Sequence, residues 1–169
     1  MAGSLDLAPY ALRLFDDEGA LRRSLRCPVL LWLTPPEAKD RPLILTTDPG
    51  RPTTRPRPGK PVIFEVKKAE KNAFSGGITI GRASNNDIAI EDTSISRFHA
   101  YFSNVEVKQH WELTDADSRV GTWVNSQRLD GKERTVVSNH SRLRVGHVEL
   151  VFLEPASFVD WLRDYVAKK

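Results

Sequence analysis

Ile78-Thr79-Ile80-Gly81-Arg82-Ala83-Ser84-Asn85-Asn86-Asp87-Ile88, followed by Ile95-Ser96-Arg97-Phe98-His99-Ala100, decides the fold of this 169-residue chain. Ile78-Thr79-Ile80 alternates apolar and polar side chains, as a short strand does. Gly81 follows, and glycine suits a sharp strand exit. Arg82 opens a loop of small polar residues, so its guanidinium can reach over the loop surface. Ser96 supplies a hydroxyl, and Arg97 a second cation beside it. Guanidinium, hydroxyl and backbone N–H are the groups that meet a phosphate dianion with short, directional, charge-assisted bonds.

Similar segments lie on both sides. Val62, Phe64 and Val66 alternate with polar or outward positions. Residues 87–90, 100–107, 111–113, 122–124, 134–137, 142–145 and 148–153 also read as strands. Turn signals separate them, among them Ser75-Gly76-Gly77, Asn85-Asn86-Asp87 and Leu129-Asp130-Gly131. Many short strands at near-regular spacing predict an all-β antiparallel sandwich or barrel.

Two further elements complete an ordered set, Trp111-Glu112-Leu113-Thr114-Asp115 and Gly121-Thr122-Trp123-Val124-Asn125. A strand ending in Gly-Arg, then Asn-Asp-Ile, Ser-x-x-His, Trp-x-Leu-x-Asp, Gly-Thr and Asn, in this order and spacing, resembles the forkhead-associated (FHA) domain family. The resemblance covers roughly Pro61 to Leu153. It implies a non-catalytic module in which loops at one end of the sandwich bind a phosphothreonine peptide. Arg82 and Ser96 would grip the phosphate with Arg97 beside them, and Arg119 sits on the loop that faces the peptide. It makes Gly81, His99, Gly121, Thr122 and Asn125 supports of those loops, with His99 a buried hydrogen-bonding brace. The expected partner is a phosphothreonine-containing protein, a serine/threonine kinase or its substrate, in a signalling role.

One position departs from the family pattern. Where the family has Ser-x-Asn-Gly-Thr, this chain has Ser118-Arg119-Val120-Gly121-Thr122. The asparagine normally hydrogen-bonds the peptide backbone beside the phosphothreonine, and valine has neither donor nor acceptor for that. An alternative therefore stands beside the first reading: a protein scaffold that uses the same fold without phosphorylation.

The flanks read differently. Asp16 to Arg26 has acids first and arginines last, the charge order a helix dipole favours, and Pro28 stops it. Val29 to Leu33 is expected to be a buried strand and Leu43-Ile44-Leu45 a second one. Eight of the eleven prolines fall between Pro35 and Pro61, which removes too many backbone donors for helix or central strand, so a linker is expected there. The C-terminal stretch from Ser157 places Phe158, Trp161, Leu162 and Tyr165 on one helical stripe, expected to pack on the domain, with Ser157 and Asp160 as a cap-like start. The expected division is an N-terminal extension and linker over 1–60, the FHA domain over 61–153, and a C-terminal helix over 154–169.

The charge excludes several classes of function. The net charge is only +3, and the excess is local, with eight Lys/Arg against three Asp/Glu between Arg41 and Asn72. Aromatics are absent from Leu43 to Ile63, so that segment lacks the stacking that single-strand nucleic-acid binders use. His99, His110, His140 and His147 are scattered and Cys27 is the single cysteine, so no metal or other cofactor is expected. Asp115 and Asp117 lie close in one loop and are expected to be structural. The first residues lack the basic start of a signal peptide, no apolar run is long enough to span a bilayer, and a cytoplasmic location without membrane contact is expected.

Overall fold

Val29-Leu30-Leu31-Trp32 is apolar at every position because it is buried on both faces. The computed structural model describes residues 6–33, 60–70 and 72–168, and in it this strand, β1 (Val29–Trp32), lies inside a sheet. Leu30 and Trp32 point into the sandwich core, while Val29 and Leu31 face a second apolar layer under two helices. A strand covered on one face alone would have alternated with polar residues.

The other strands are β2 (Val62–Glu65), β3 (Ile78–Gly81), β4 (Ile88–Ala89), β5 (Ala100–Val105), β6 (His110–Asp115), β7 (Thr122–Val124), β8 (Gln127–Arg128), β9 (Arg134–Val137), β10 (Arg142–Val145) and β11 (Val148–Leu153). They form two sheets, one ordered β2-β1-β11-β10-β7-β8 and the other β4-β3-β5-β6-β9. The expected sandwich is present. It departs from the purely antiparallel form at one pair, because β3 and β4 run parallel, with Ile80 opposite Ile88. Between the sheets Phe102 of β5 meets Phe152 of β11 at 5.9 Å, and Trp111 of β6 packs on both rings.

Helix α1 (Ala8–Ser24) is longer than the Asp16–Arg26 segment expected from charge order, and it is broken at Asp17. Pro9 sits in its first turn, where a missing N–H costs nothing. Asp17 leaves helical geometry and its Oδ1 accepts the Ala20 N–H at 2.9 Å, so it caps the second half. Helix α2 (Pro155–Ala167) starts two residues before Ser157, again with proline at the start. Ser157 does not cap it; its Oγ accepts a hydrogen bond from Asn139 Nδ2.

Both helices cover the outer face of β1, β2 and β11. Phe158, Val159 and Leu162 of α2 are fully buried there, with Tyr10 and Leu21 of α1 and Ile63 of β2. Each such side chain contributes about 1.5–3 kcal/mol of apolar burial. Arg22 of α1 pairs with Asp160 of α2 at the rim. Val29–Trp32, N-terminal to the expected boundary at residue 61, is thus a central strand of the domain. The expected strand at Leu43-Ile44-Leu45 and most of the linker lie outside the described residues.

Candidate functional site

The loops at one end of the sandwich are joined to one another by their own backbone. β3 and the segment before β5 continue their ladder beyond the strands: His99 N–H donates to Ile80 O, Arg82 N–H to Ser96 O at 2.9 Å, and Ala83 N–H to Arg97 O. This ladder depends on Gly81, for a reason other than the sharp exit expected from sequence. A Cβ at Gly81 would stand 2.1 Å from Arg97 O and 2.6 Å from Asn86 Nδ2, so only glycine admits the approach. Asn86 closes the same loop, its Nδ2 donating to Ala83 O and to Arg97 O.

Ser96 is the centre of the site. Its Oγ accepts the Arg119 backbone N–H at 3.0 Å, which joins the β4–β5 loop to the β6–β7 loop. That bond uses a lone pair of Oγ, and its own O–H has no acceptor among the described residues. Arg82 is held by one bond, Nε to Ile95 O at 3.2 Å, which leaves both Nη groups without a partner among the described residues. Arg97 is exposed beside them. Arg119 also donates from Nη2 to Thr93 O at 2.9 Å. Arg82, Arg97 and Arg119 form no ion pair among the described residues, so three guanidiniums at this end of the sandwich keep unneutralised charge near a hydroxyl with a free O–H.

His99 supports the site from below and is completely buried. Its Nδ1 accepts the Ser96 N–H at 3.0 Å, so Nε2 carries the proton and donates to Gly121 O at 3.0 Å. Only the neutral ring serves both loops. Burial pushes its pKa below the ordinary 6.5, outweighing the Gly121 bond that favours the charged form. The folded chain therefore resists a proton that the unfolded chain takes up near 6.5. The His99 contribution to stability is fully present above that pH and is lost as pH falls from 6.5 through the lower folded value. Thermal unfolding between pH 7.5 and 5 checks this: His99→Gln should melt lower at pH 7.5 and show a shallower acid decline than the native chain. Equal acid slopes would remove His99 from this role.

The second loop is organised by buried Asp115. Its carboxylate accepts Ser118 N–H at 2.9 Å, Ser118 Oγ at 2.6 Å and Thr122 Oγ1 at 2.5 Å. Gly121 takes φ +114°, which other residues rarely adopt. Asn125 sits in the left-handed region at φ 47° and pairs with Arg142 through its N–H and its Oδ1, so it holds the β7–β8 turn against β10. Val120 is half-buried, and its carbonyl, not its side chain, meets Arg128 at 3.5 Å.

The structure thus draws Arg82, Ser96, Arg97 and Arg119 to one end of the sandwich, with Gly81, His99, Gly121 and Thr122 beneath or beside them; Asn125 stands at the other end of β7, where it holds the β7–β8 turn. Two bracing residues, Asn86 and Asp87, had no separate role in the sequence reading. Asp87 is fully buried and accepts five hydrogen bonds, from Lys68 Nζ, Ala69 N–H, Asn72 Nδ2, Thr79 N–H and Thr79 Oγ1. The Asn-Asp-Ile element marked its place, but three of those donors come from a stretch without periodicity. Among the described residues no group of three His, Cys, Asp or Glu gathers as a metal site. No helix there is long and apolar enough to cross a membrane.

Residues 78–146, which contain every strand and loop of this site, match the family model of the FHA domain. The chain carries an FHA domain. Among curated proteins, the oxoglutarate dehydrogenase inhibitor of Corynebacterium jeikeium (strain K411) is 36% identical over 73 residues, 43% of this chain and 47% of that protein. An ABC transporter ATP-binding/permease protein of Mycobacterium tuberculosis is 34% identical over 79 residues, 47% of this chain and 9% of that one. This chain therefore spans about half of the inhibitor it resembles and a small part of the transporter. A solution structure of an FHA domain from Arabidopsis thaliana superposes with a TM-score of 0.48 at 18% identity, over 76% of this chain and 86% of that one.

Proposed function

We propose that this FHA domain is a non-catalytic reader of phosphothreonine in a partner protein, acting downstream of a serine/threonine kinase, with the kinase or its substrate as the partner. The observation that carries the reading is the direct stitching of Arg82, Ser96 and Arg119. Arg82 N–H donates to Ser96 O and Arg119 N–H to Ser96 Oγ, while the Arg82 Nη groups and the Ser96 O–H remain unused. A phosphate dianion seated there receives charge-assisted bonds from groups already held in place. Phospho-motif capture by arginine clusters is a general mode of peptide recognition, and FHA domains use it.

Val120 supports a second reading, a scaffold that binds an unphosphorylated surface. Its side chain brings an apolar, β-branched group to the loop between Arg119 and Gly121, where a polar peptide backbone is to be met. Calorimetry with phosphothreonine peptides and their unphosphorylated forms separates the two. The phosphate reader binds only the phosphorylated peptides, weakly and with relaxed choice of the residues next to the phosphothreonine. Val120→Asn restores one amide hydrogen bond worth about 1 kcal/mol, so affinity should rise about five-fold. Equal affinity for both peptide forms, or weaker phosphopeptide binding by Val120→Asn, would transfer the conclusion to the scaffold.

A further inference from the structure

We propose that the outward face of β7, β8 and β10 is a second recognition surface, which takes an acidic side chain of the same phosphopeptide, outside its phosphothreonine. This inference rests on the phosphate reading above and extends it to the choice of peptide.

Strand register sets Trp123 of β7 opposite Arg128 of β8 on one side and Arg144 of β10 on the other. The three side chains form one row on the outward face, and both guanidiniums lie on the indole, Arg144 at 3.6 Å from the ring centroid and Arg128 at 5.5 Å. Arg144 stands opposite Glu149 of β11, yet the two form no ion pair within 4 Å. A guanidinium stacked by its flat face keeps its in-plane N–H groups at the edge, held in orientation and open to a carboxylate or phosphate. Arg142, two residues along β10, is exposed on the same face. Arg128, Arg142 and Arg144 have no ion-pair partner among the described residues.

This surface is continuous with the phosphate loops. Arg128 Nη2 reaches Val120 O at 3.5 Å, and a Cβ on Gly121 would stand 3.0 Å from Arg128 Nε. A peptide leaving the Arg82–Ser96 site across Val120 runs onto Trp123 and its arginines. Acidic residues bound the surface: Asp117 and Asp130 line a cavity of about 260 Å³ with Arg128, and Glu149 stands beyond Arg144. The positive part is narrow, and fits one acidic side chain better than the extended polyanion of a nucleic acid.

Fluorescence anisotropy on the full chain tests this with phosphothreonine peptides whose flanks carry glutamate, a second phosphothreonine or alanine. The acidic flanks should bind about three- to five-fold tighter than alanine, the size of an exposed charge pair. Arg144→Gln, and separately Arg142→Gln in case loss of the stacked arginine disturbs the fold, should reduce that preference and leave the alanine-flanked peptide unaffected. Glutamate and phosphate arms show which anion is favoured. Arg82→Ala should weaken all the phosphopeptides alike, which separates the two sites. The same flanks on unphosphorylated peptides, immobilised at high density, test the surface even where the phosphate reading fails, through retention of the acidic peptide that Arg144→Gln removes. No acidic preference in the native chain, or one that persists in both variants, overturns the proposal. So does an oligonucleotide that binds through Arg144 while the peptides are not distinguished.

Discussion

Arg82→Ala is expected to abolish measurable phosphopeptide binding while lowering stability by no more than about 1 kcal/mol, the worth of its bond to Ile95. The two consequences differ because the side chain is tied to the fold at Nε alone. Its Nη groups, with no partner among the described residues, are the part that meets a ligand. A charge-assisted bond to a phosphate contributes about 1.5–3 kcal/mol, which is about a ten- to hundred-fold change in affinity for one bond. Both Nη groups are available, and an already weak site loses detectable binding at the upper end of that range. Arg82→Lys should recover little, because a single ammonium does not reproduce the planar fork. Calorimetry alongside thermal melting checks both parts. A folded Arg82→Ala chain that binds as tightly as the native one would falsify the phosphate-grip assignment.

Asp87→Ala is expected to cost the most stability, about 3–5 kcal/mol, because several buried donors lose their acceptor at about 1–3 kcal/mol each. The carboxylate is wholly enclosed and gathers the Lys68 ammonium, two backbone N–H groups, the Asn72 amide and the Thr79 hydroxyl. Alanine strands all of these donors. Lys68 is partly exposed and finds water, whereas the Thr79 N–H is buried and does not. Domains of this size are stable by about 5–15 kcal/mol, so the loss is a large share of the whole. Binding should fall as well, since Asp87 holds β4 beside β3 and Gly81–Arg82 leaves β3 directly. Urea denaturation is the measurement, and a loss below about 1 kcal/mol would show that the network is dispensable.

Much of this architecture was legible because alternation and turns are local. Thr122–Val124, Arg134–Val137, Arg142–Val145 and Val148–Leu153 begin and end where the side-chain pattern places them. β8, only Gln127 and Arg128 and exposed at both, carries no pattern to read. The ends of α1 and α2 were misplaced because charge order and an apparent serine cap outweighed the prolines in their first turns. The order of the motif residues singled out Arg82, Ser96, Arg97 and His99, which the structure gathers at one end of the sandwich. Sequence does not reveal that Gly81 is fixed by the Arg97 carbonyl, nor that Lys68, Ala69 and Asn72 converge on Asp87. These depend on contacts between segments far apart in the chain. The arginine–tryptophan row across β8, β7 and β10 is likewise a product of strand register.

The position of β1 between β2 and β11 separates two lengths that are easily taken for one. Residues 78–146 hold all five strands of the second sheet and every recognition loop, but only β7, β8 and β10 of the first. The remaining half of that sheet comes from strands beyond both ends of the matched segment. Cutting the chain at those ends would strip Phe152 from Phe102 and Trp111 and leave one side of the sandwich without a roof. Both covering helices would go with the lost strands. The elements that complete and cover the sandwich run from Ala8 to Ala167, more than twice the span by which the domain is recognised.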